Sequence, residues 1–334
     1  MSYLYAVARL RGMENRLLDA SFLTRLMDSP TLDDALKVLA ETSYAQWFGK
    51  VAETGFDRAI DDAMLAACRE LGQFAPDARL ITLFRMPYDY HNVKVILKSL
   101  FKVRGGDPEG RRHELLSSLG SVDPERLTAA LEAEEYAYLP YGLGSLISQC
   151  WNHWDRTKDV QGVELLLDHH LFASMLTLAK SLKLPEITKW VKLKIDAENL
   201  RSAVRLQRMG VDAAGGLPFF HPGGNIRPED AAQLLGEPPE TWGKILSHTG
   251  IGAALDVLQE QTDVRGTLSD VSRALDEYLV RVLEKARFSM DAPANILLYL
   301  LTKEAEARNL RIALVCVTSG LNREFARRLL SHVR

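Results

Sequence analysis

Tyr88-Asp89-Tyr90-His91-Asn92-Val93-Lys94-Val95-Ile96-Leu97 decides how this chain is read, because the stretch recurs twice. The second copy is Ile195-Asp196-Ala197-Glu198-Asn199-Leu200-Arg201-Ser202-Ala203-Val204, and the third is Ala305-Glu306-Ala307-Arg308-Asn309-Leu310-Arg311-Ile312-Ala313-Leu314. Each has an acid, an asparagine three places on, then an aliphatic and a basic residue. The asparagines are 107 and 110 residues apart, and a third of 334 residues is about 111, so the repeat fills the chain. Pro76, Pro185 and Pro293 keep the same step, 16, 14 and 16 residues ahead of the asparagines. So do Asp61, Asp168 and Asp276, at 31, 31 and 33. The period exceeds that of a solenoid unit, which predicts three copies of a small domain, over residues 1–106, 107–216 and 217–334.

Working outward, helical periods dominate. Residues 3–27 carry apolar residues near a 3.6 spacing and predict one helix, stopped by Ser29-Pro30-Thr31, with Thr31 or Asp33 capping a short successor. A helix is predicted over 57–73. Pro76-Asp77 is expected to open the long helix bearing Asn92, with Pro87 kinking or interrupting it. Further helices are predicted from about Leu143, over 163–183, 185–209, 229–235, 241–247, 251–260, 268–288 and 293–318, and in a basic C-terminal segment, 322–334. Gly210 to Pro228 reads as an irregular loop and a domain boundary. No run alternates as a strand would, so the fold class is all-α.

Composition excludes several functions. The chain is 47% hydrophobic and 25% charged, with net charge -3 and pI near 6.3, which supports a soluble core and no nucleic-acid platform. Cys68, Cys150 and Cys316 lack metal-ligand spacing and read as reduced core thiols of a cytoplasmic protein. The N-terminus has no signal-peptide pattern, and no window approaches a membrane span. No motif calls for a cofactor or a nucleotide.

The acid and asparagine of each copy share a helix face at i, i+3. Asp89, Asn92, Asp196, Asn199, Glu306 and Asn309 read as buried hydrogen-bond nodes locking two helices in each copy, against a second reading as three ligand sites. A packing solution must be duplicated with its domain, whereas catalytic sites seldom occur in triplicate. Asp168-His169-His170 resembles the signature of metal-dependent phosphoesterases, but those enzymes hold it after a strand and need more aspartates. Cys150 and His153 could pose as a nucleophile pair, although nothing implies oxyanion donors. The basic helix 322–334 has four arginines balanced locally only by Glu324, which makes it a candidate docking face.

Tyr3-Leu4-Tyr5-Ala6-Val7-Ala8-Arg9-Leu10-Arg11-Gly12-Met13-Glu14, the Tyr88-Asp89-x-x-Asn92-x-Lys94 helix and the Phe219-Phe220-His221-Pro222-Gly223-Gly224 loop together resemble the C subunits of bacterial and archaeal V/A-type rotary ATPases, relatives of the eukaryotic d subunits. The resemblance covers essentially the whole chain. It implies a funnel of three helical domains with no catalytic site, seated peripherally on the cytoplasmic face of the cell membrane. The implied partners are the central shaft subunits of D and F type and the proteolipid ring, between which it would be a coupling socket. Gly223 and Gly224 in the exposed loop 215–225, and Arg323, Arg327 and Arg328 in the basic helix, are the candidate contacts. A helical scaffold unrelated to rotary motors is the alternative.

Overall fold

The computed structural model describes residues 2–49, 55–107, 110, 112–252 and 268–331. Among them there is no strand. The helices are α1 (Tyr3–Glu14), α2 (Ala20–Met27), α3 (Leu32–Leu39), α4 (Ala45–Phe48), α5 (Phe56–Gly72), α6 (Arg79–Arg104), α7 (Pro124–Glu132), α8 (Leu143–Thr157), α9 (Val160–Ser181) and α10 (Pro185–Arg208). Then come α11 (Ala213–Gly216), α12 (Pro228–Gln233), α13 (Trp242–Ile245), α14 (Leu268–Glu284), α15 (Ala294–Ser319) and α16 (Arg323–Leu329). The helix expected over 251–260 falls almost wholly outside the described residues.

Three local expectations are corrected. Residues 3–27 form two helices, because Asp19 takes an extended conformation and caps α2, its Oδ1 accepting Phe22 N–H at 2.8 Å. Pro76 lies ahead of α6 instead of in its first turn; Asp77 Oδ1 accepts the N–H of Arg79, the first helical residue, at 2.9 Å. Pro87 does not interrupt α6, which runs through it. Elsewhere Thr31 caps α3 through Asp34 N–H, and Pro185 opens α10.

The chain divides into two compact units, Met1–Phe84 with Gln261–Arg334, and Arg85–Glu260. In the first, α15 is the hub, packing on α1, α2, α3, α5, α14 and α16. Its residues Ile296, Leu297, Leu298, Tyr299 and Leu300 are all buried, the pattern of a helix surrounded on every side. Each such leucine contributes about 1.5–3 kcal/mol by leaving water, so this helix dominates the stability of its unit. Where its inner face turns polar, Lys303, Glu306 and Tyr44 form a closed group. Lys303 Nζ donates to Tyr44 Oη at 2.9 Å and to Glu306 Oε2 at 3.1 Å.

In the second unit α9 packs against α8 and α10. Phe101 of α6 stacks on Trp154 with centroids 4.7 Å apart and meets Trp151 edge-on at 4.9 Å. Beside them the Cys150 thiol is fully buried, which pushes its pKa up to about 12. That is the reverse of what an activated nucleophile requires.

Candidate functional site: the asparagine clamps and the surfaces beside them

A mid-helix asparagine with a buried amide must find partners for both its ends. All three repeat asparagines find the same kind. Asn92 Nδ2 donates to Ser117 O and its Oδ1 accepts Ser117 N–H, both at 2.8 Å. Asn199 does this to His221, at 2.9 and 2.7 Å, and Asn309 to Ser331, at 3.0 and 2.8 Å. The partner is each time the main chain of a loop residue 22 or 25 positions on, not a second helix. The amide satisfies the donor and acceptor of one peptide position, which fixes that loop against its helix like an added rung of secondary structure.

The acid three places earlier holds the next stretch of the same loop in two of the copies. Asp89 accepts Ser121 Oγ–H at 2.5 Å and Val122 N–H at 2.9 Å. Asp196 accepts Asn225 N–H, Asn225 Nδ2 and Ile226 N–H at 2.8, 2.7 and 2.9 Å. Burial raises the pKa of both carboxyls, against these hydrogen bonds, which lower it. Close approach demands glycine. A Cβ on Gly120 would stand 2.6 Å from Asp89 Oδ1, and one on Gly224 only 2.1 Å from Asp196 Oδ1. Gly120-Ser121-Val122-x-Pro124 and Gly224-Asn225-Ile226-x-Pro228 are therefore one motif in two copies. The signal was available in the sequence, at 28 and 25 residues past the respective asparagines.

The Asp168-His169-His170 run is dispersed among three different partners. Lys94 Nζ donates to Asp168 Oδ1, the Tyr90 hydroxyl lies 2.6 Å from His170 Nδ1, and His169 faces His221. Likewise Arg311, the third copy's counterpart of Lys94, pairs with Asp61 and Asp57, while Asp276 pairs with Arg308. The aspartate landmarks thus answer the basic residues of the motif in two cases. Among the described residues no group of acids, histidines and cysteines could hold a metal ion.

These clamps and loops lie on a chain with close counterparts. The family model described as ATP synthase (C/AC39) subunit matches residues 6–329. The chain belongs to that family. It is 26% identical to the C subunit of the A-type ATP synthase of Thermococcus kodakarensis, over 99% of this chain and 91% of that one. The C subunit of the V-type ATP synthase of Thermus thermophilus is 29% identical over 67% of this chain and 68% of its own. That of the V-type sodium ATPase of Enterococcus hirae is 20% identical over 92% and 91%. As a family member the chain is a subunit of a V/A-type ATP synthase or ATPase, and the unrelated helical scaffold is not favoured.

A subunit of such a complex must present surfaces to its neighbours, and two were marked by the sequence. In the loop 215–225, Pro222, Gly223 and Asn225 are exposed, while Phe220 and His221 are buried beneath them. Gly224 is spent on the approach to Asp196. In α16 the arginines are less free than their local sequence suggests. Arg327 donates to both oxygens of Asp28, at 3.0 and 3.2 Å, and Arg323 comes within 3.9 Å of it. Arg328 is the most exposed of the three and lies 3.7 Å from Glu324. No described helix is long and apolar enough to cross a membrane.

His221 gives the loop a pH dependence. Its Nδ1 lies 2.9 Å from His169 Nδ1, and His169 Nε2 lies 3.1 Å from Pro218 O. A carbonyl only accepts, so His169 Nε2 carries the proton and its Nδ1 accepts from His221. Burial, then His169, lowers the His221 pKa to about 4; Lys94 acts in the same sense and Glu198 opposes. Folding therefore favours the neutral ring. Its contribution is complete above the unfolded value of 6.5 and is lost as pH falls from there to about 4. Between pH 7 and 5, wild type is expected to lose about 2 kcal/mol more than His221→Phe in urea unfolding. Parallel losses in the two proteins would refute this.

Proposed function

We propose that the chain is the non-catalytic coupling socket of a V/A-type rotary motor. Three helical repeat domains, 1–106, 107–216 and 217–334, form a funnel that receives the foot of the central shaft and sits on the proteolipid ring. Torque passes through it in either direction, toward ion transport or ATP synthesis. It is peripheral, on the cytoplasmic face of the membrane, and is held there by its partners. The observation that carries this reading is one loop-holding device recurring at three equivalent helices of a chain matched by the family over residues 6–329. A part that transmits torque needs loops fixed to a stiff body, and main-chain clamping by a buried amide supplies that stiffness.

Two faces are the proposed contacts, the loop around Gly223 and Gly224 and the arginines Arg323, Arg327 and Arg328. Arg327→Glu would set a carboxylate against Asp28 and confuse docking with stability, so Arg323→Gln with Arg328→Glu is the better probe. Tagged protein purified from mildly solubilised membranes is expected to bring down the ATPase catalytic subunits and a small proteolipid. The double variant should recover at least several-fold less of them at unchanged thermal stability. A wild-type preparation without these subunits, in cells that express the motor, would count against the socket.

A further inference from the structure

The turn between α14 and α15, residues 285–293, is fixed from beneath. The Asn295 side chain is fully buried, and its Nδ2 lies 2.8, 3.0 and 3.1 Å from the carbonyl oxygens of Ala286, Ser289 and Ala292. Arg11 of α1 donates to the carbonyl of Arg287 at 2.8 Å and to Asn295 Oδ1 at 3.1 Å. What this rigid turn presents outward is apolar. Phe288 is 92% exposed and Met290 46%. Phe74, in the equivalent turn ahead of α6, is by contrast 1% exposed, with the Arg9 guanidinium 4.4 Å from its ring centroid. Lys285 is exposed and Arg287 half-buried on either side of Ala286, and neither makes an ion pair among the described residues. The acid of the turn, Asp291, accepts Ser289 Oγ–H at 2.6 Å.

We propose that this turn is an interfacial anchor for an anionic phospholipid surface. Phe288 and Met290 enter the boundary between headgroups and acyl chains, while Lys285 and Arg287 meet the lipid phosphates and carboxylates. Charge and hydrogen bonding select this occupant. An exposed aromatic flanked by unpaired cations is complementary to a surface that is apolar within and negative at its face. Main chain can enter a medium without water only when its polar groups already have partners, and here four carbonyls of residues 286–292 are held by Asn295 and Arg11. Because the turn is held in place beforehand, insertion orders little that was free. The lipid contact adds to the protein contacts of the socket reading, and rests on that reading only in placing the chain at a membrane face. Vesicles free of protein therefore test it separately.

The test floats the full chain with vesicles of phosphatidylcholine containing about one-third phosphatidylserine, and with vesicles of phosphatidylcholine alone. Saturable binding to the anionic vesicles is expected, and binding about tenfold weaker or less to the neutral ones. Phe288→Ser should weaken the anionic binding by about tenfold or more, and Lys285→Gln by about fivefold, whereas Phe288→Trp should retain it. Both side chains are exposed, so thermal stability should not move. Cys68, Cys150 and Cys316 are buried, so Phe288→Cys takes an environment-sensitive maleimide dye selectively, and its emission should shift to the blue on anionic vesicles. No binding, binding unchanged by Phe288→Ser, or a dye that still reports water on bound chains would overturn the proposal. The second of these would mean adsorption through another basic surface, such as Lys180, Lys183 and Lys189 around the turn between α9 and α10. Loss of motor subunits on purifying Phe288→Ser from membranes, with no vesicle binding by wild type, would overturn it in favour of a protein partner for the turn. A wild type that binds vesicles but brings down no motor subunits would refute the socket and leave the anchor standing.

Discussion

Gly224→Ala is expected to destabilise the protein by about 3 kcal/mol or more, the cost of breaking apart a buried carboxylate and its donors. The added methyl would stand 2.1 Å from Asp196 Oδ1 and 3.0 Å from Cγ, and Asp196 is wholly buried. Either the loop retreats and the carboxylate loses the N–H groups of Asn225 and Ile226, or α10 shifts within a packed interior. Both routes leave a buried charge undersolvated. Gly120→Ala should follow with a smaller loss, because its clash, at 2.6 Å, is milder. Gly236 is the control, since a Cβ there meets nothing within 4 Å, and its alanine variant should stay within about 0.5 kcal/mol of wild type. Urea midpoints of the three variants decide the matter, and equal midpoints for Gly224→Ala and Gly236→Ala would remove the close-approach argument.

Lys303→Met should cost about 3–5 kcal/mol, the usual penalty for removing one partner of a buried ion pair. Lys303 and Glu306 are 7% and 5% exposed, so solvent screens the pair little. Burial lowers the lysine pKa and raises that of the glutamate, each held toward its charged form by the other. With the ammonium gone, Glu306 keeps the N–H of Leu18 but no counter-charge from Lys303, and Tyr44 loses the donor to its hydroxyl. Adding Glu306→Gln removes the stranded charge, so the double variant should recover a good part of the loss. If the double variant is as unstable as the single, the pair matters through packing and not through charge.

The sequence was legible where one residue's role is local. The long helices follow from apolar period, and Thr31 as a cap follows from its place after Ser29-Pro30. The split at Asp19 was hidden because Leu17, Leu18, Phe22 and Leu23 continue the period of α1 across the turn. Pro76 misled because Asp77 is the stronger starter, its carboxylate reaching Arg79 N–H. The asparagines stood out by recurrence, yet their partners could not be read, since main-chain groups leave no mark on sequence. Asp28 lies 299 residues from Arg327, so the charge balance of α16 was invisible to any local count. The Gly-[Ser/Asn]-[Val/Ile]-x-Pro loops were readable in principle, but two copies of five residues carry little statistical weight without the carboxylate that explains their glycine.

The first unit is sewn from two stretches far apart in the chain, residues 1–84 and 261–334, and a ribosome makes one long before the other. The hydrogen bond from Leu18 to Glu306 spans 288 residues, and Ile60, Leu26 and Leu39 share one core with Leu310 and Leu314 of α15. Residues 85–260 are made in between and hold their own contacts, so they can fold while synthesis continues. The apolar faces of α2, α3 and α5 cannot be covered by α15 until about 220–270 residues later, roughly 10–50 s at ordinary elongation rates. The helices made earlier thus wait for the cover that α15 supplies, and during that interval nascent chains of this protein expose the kind of apolar surface that chaperones recognise and that aggregation exploits.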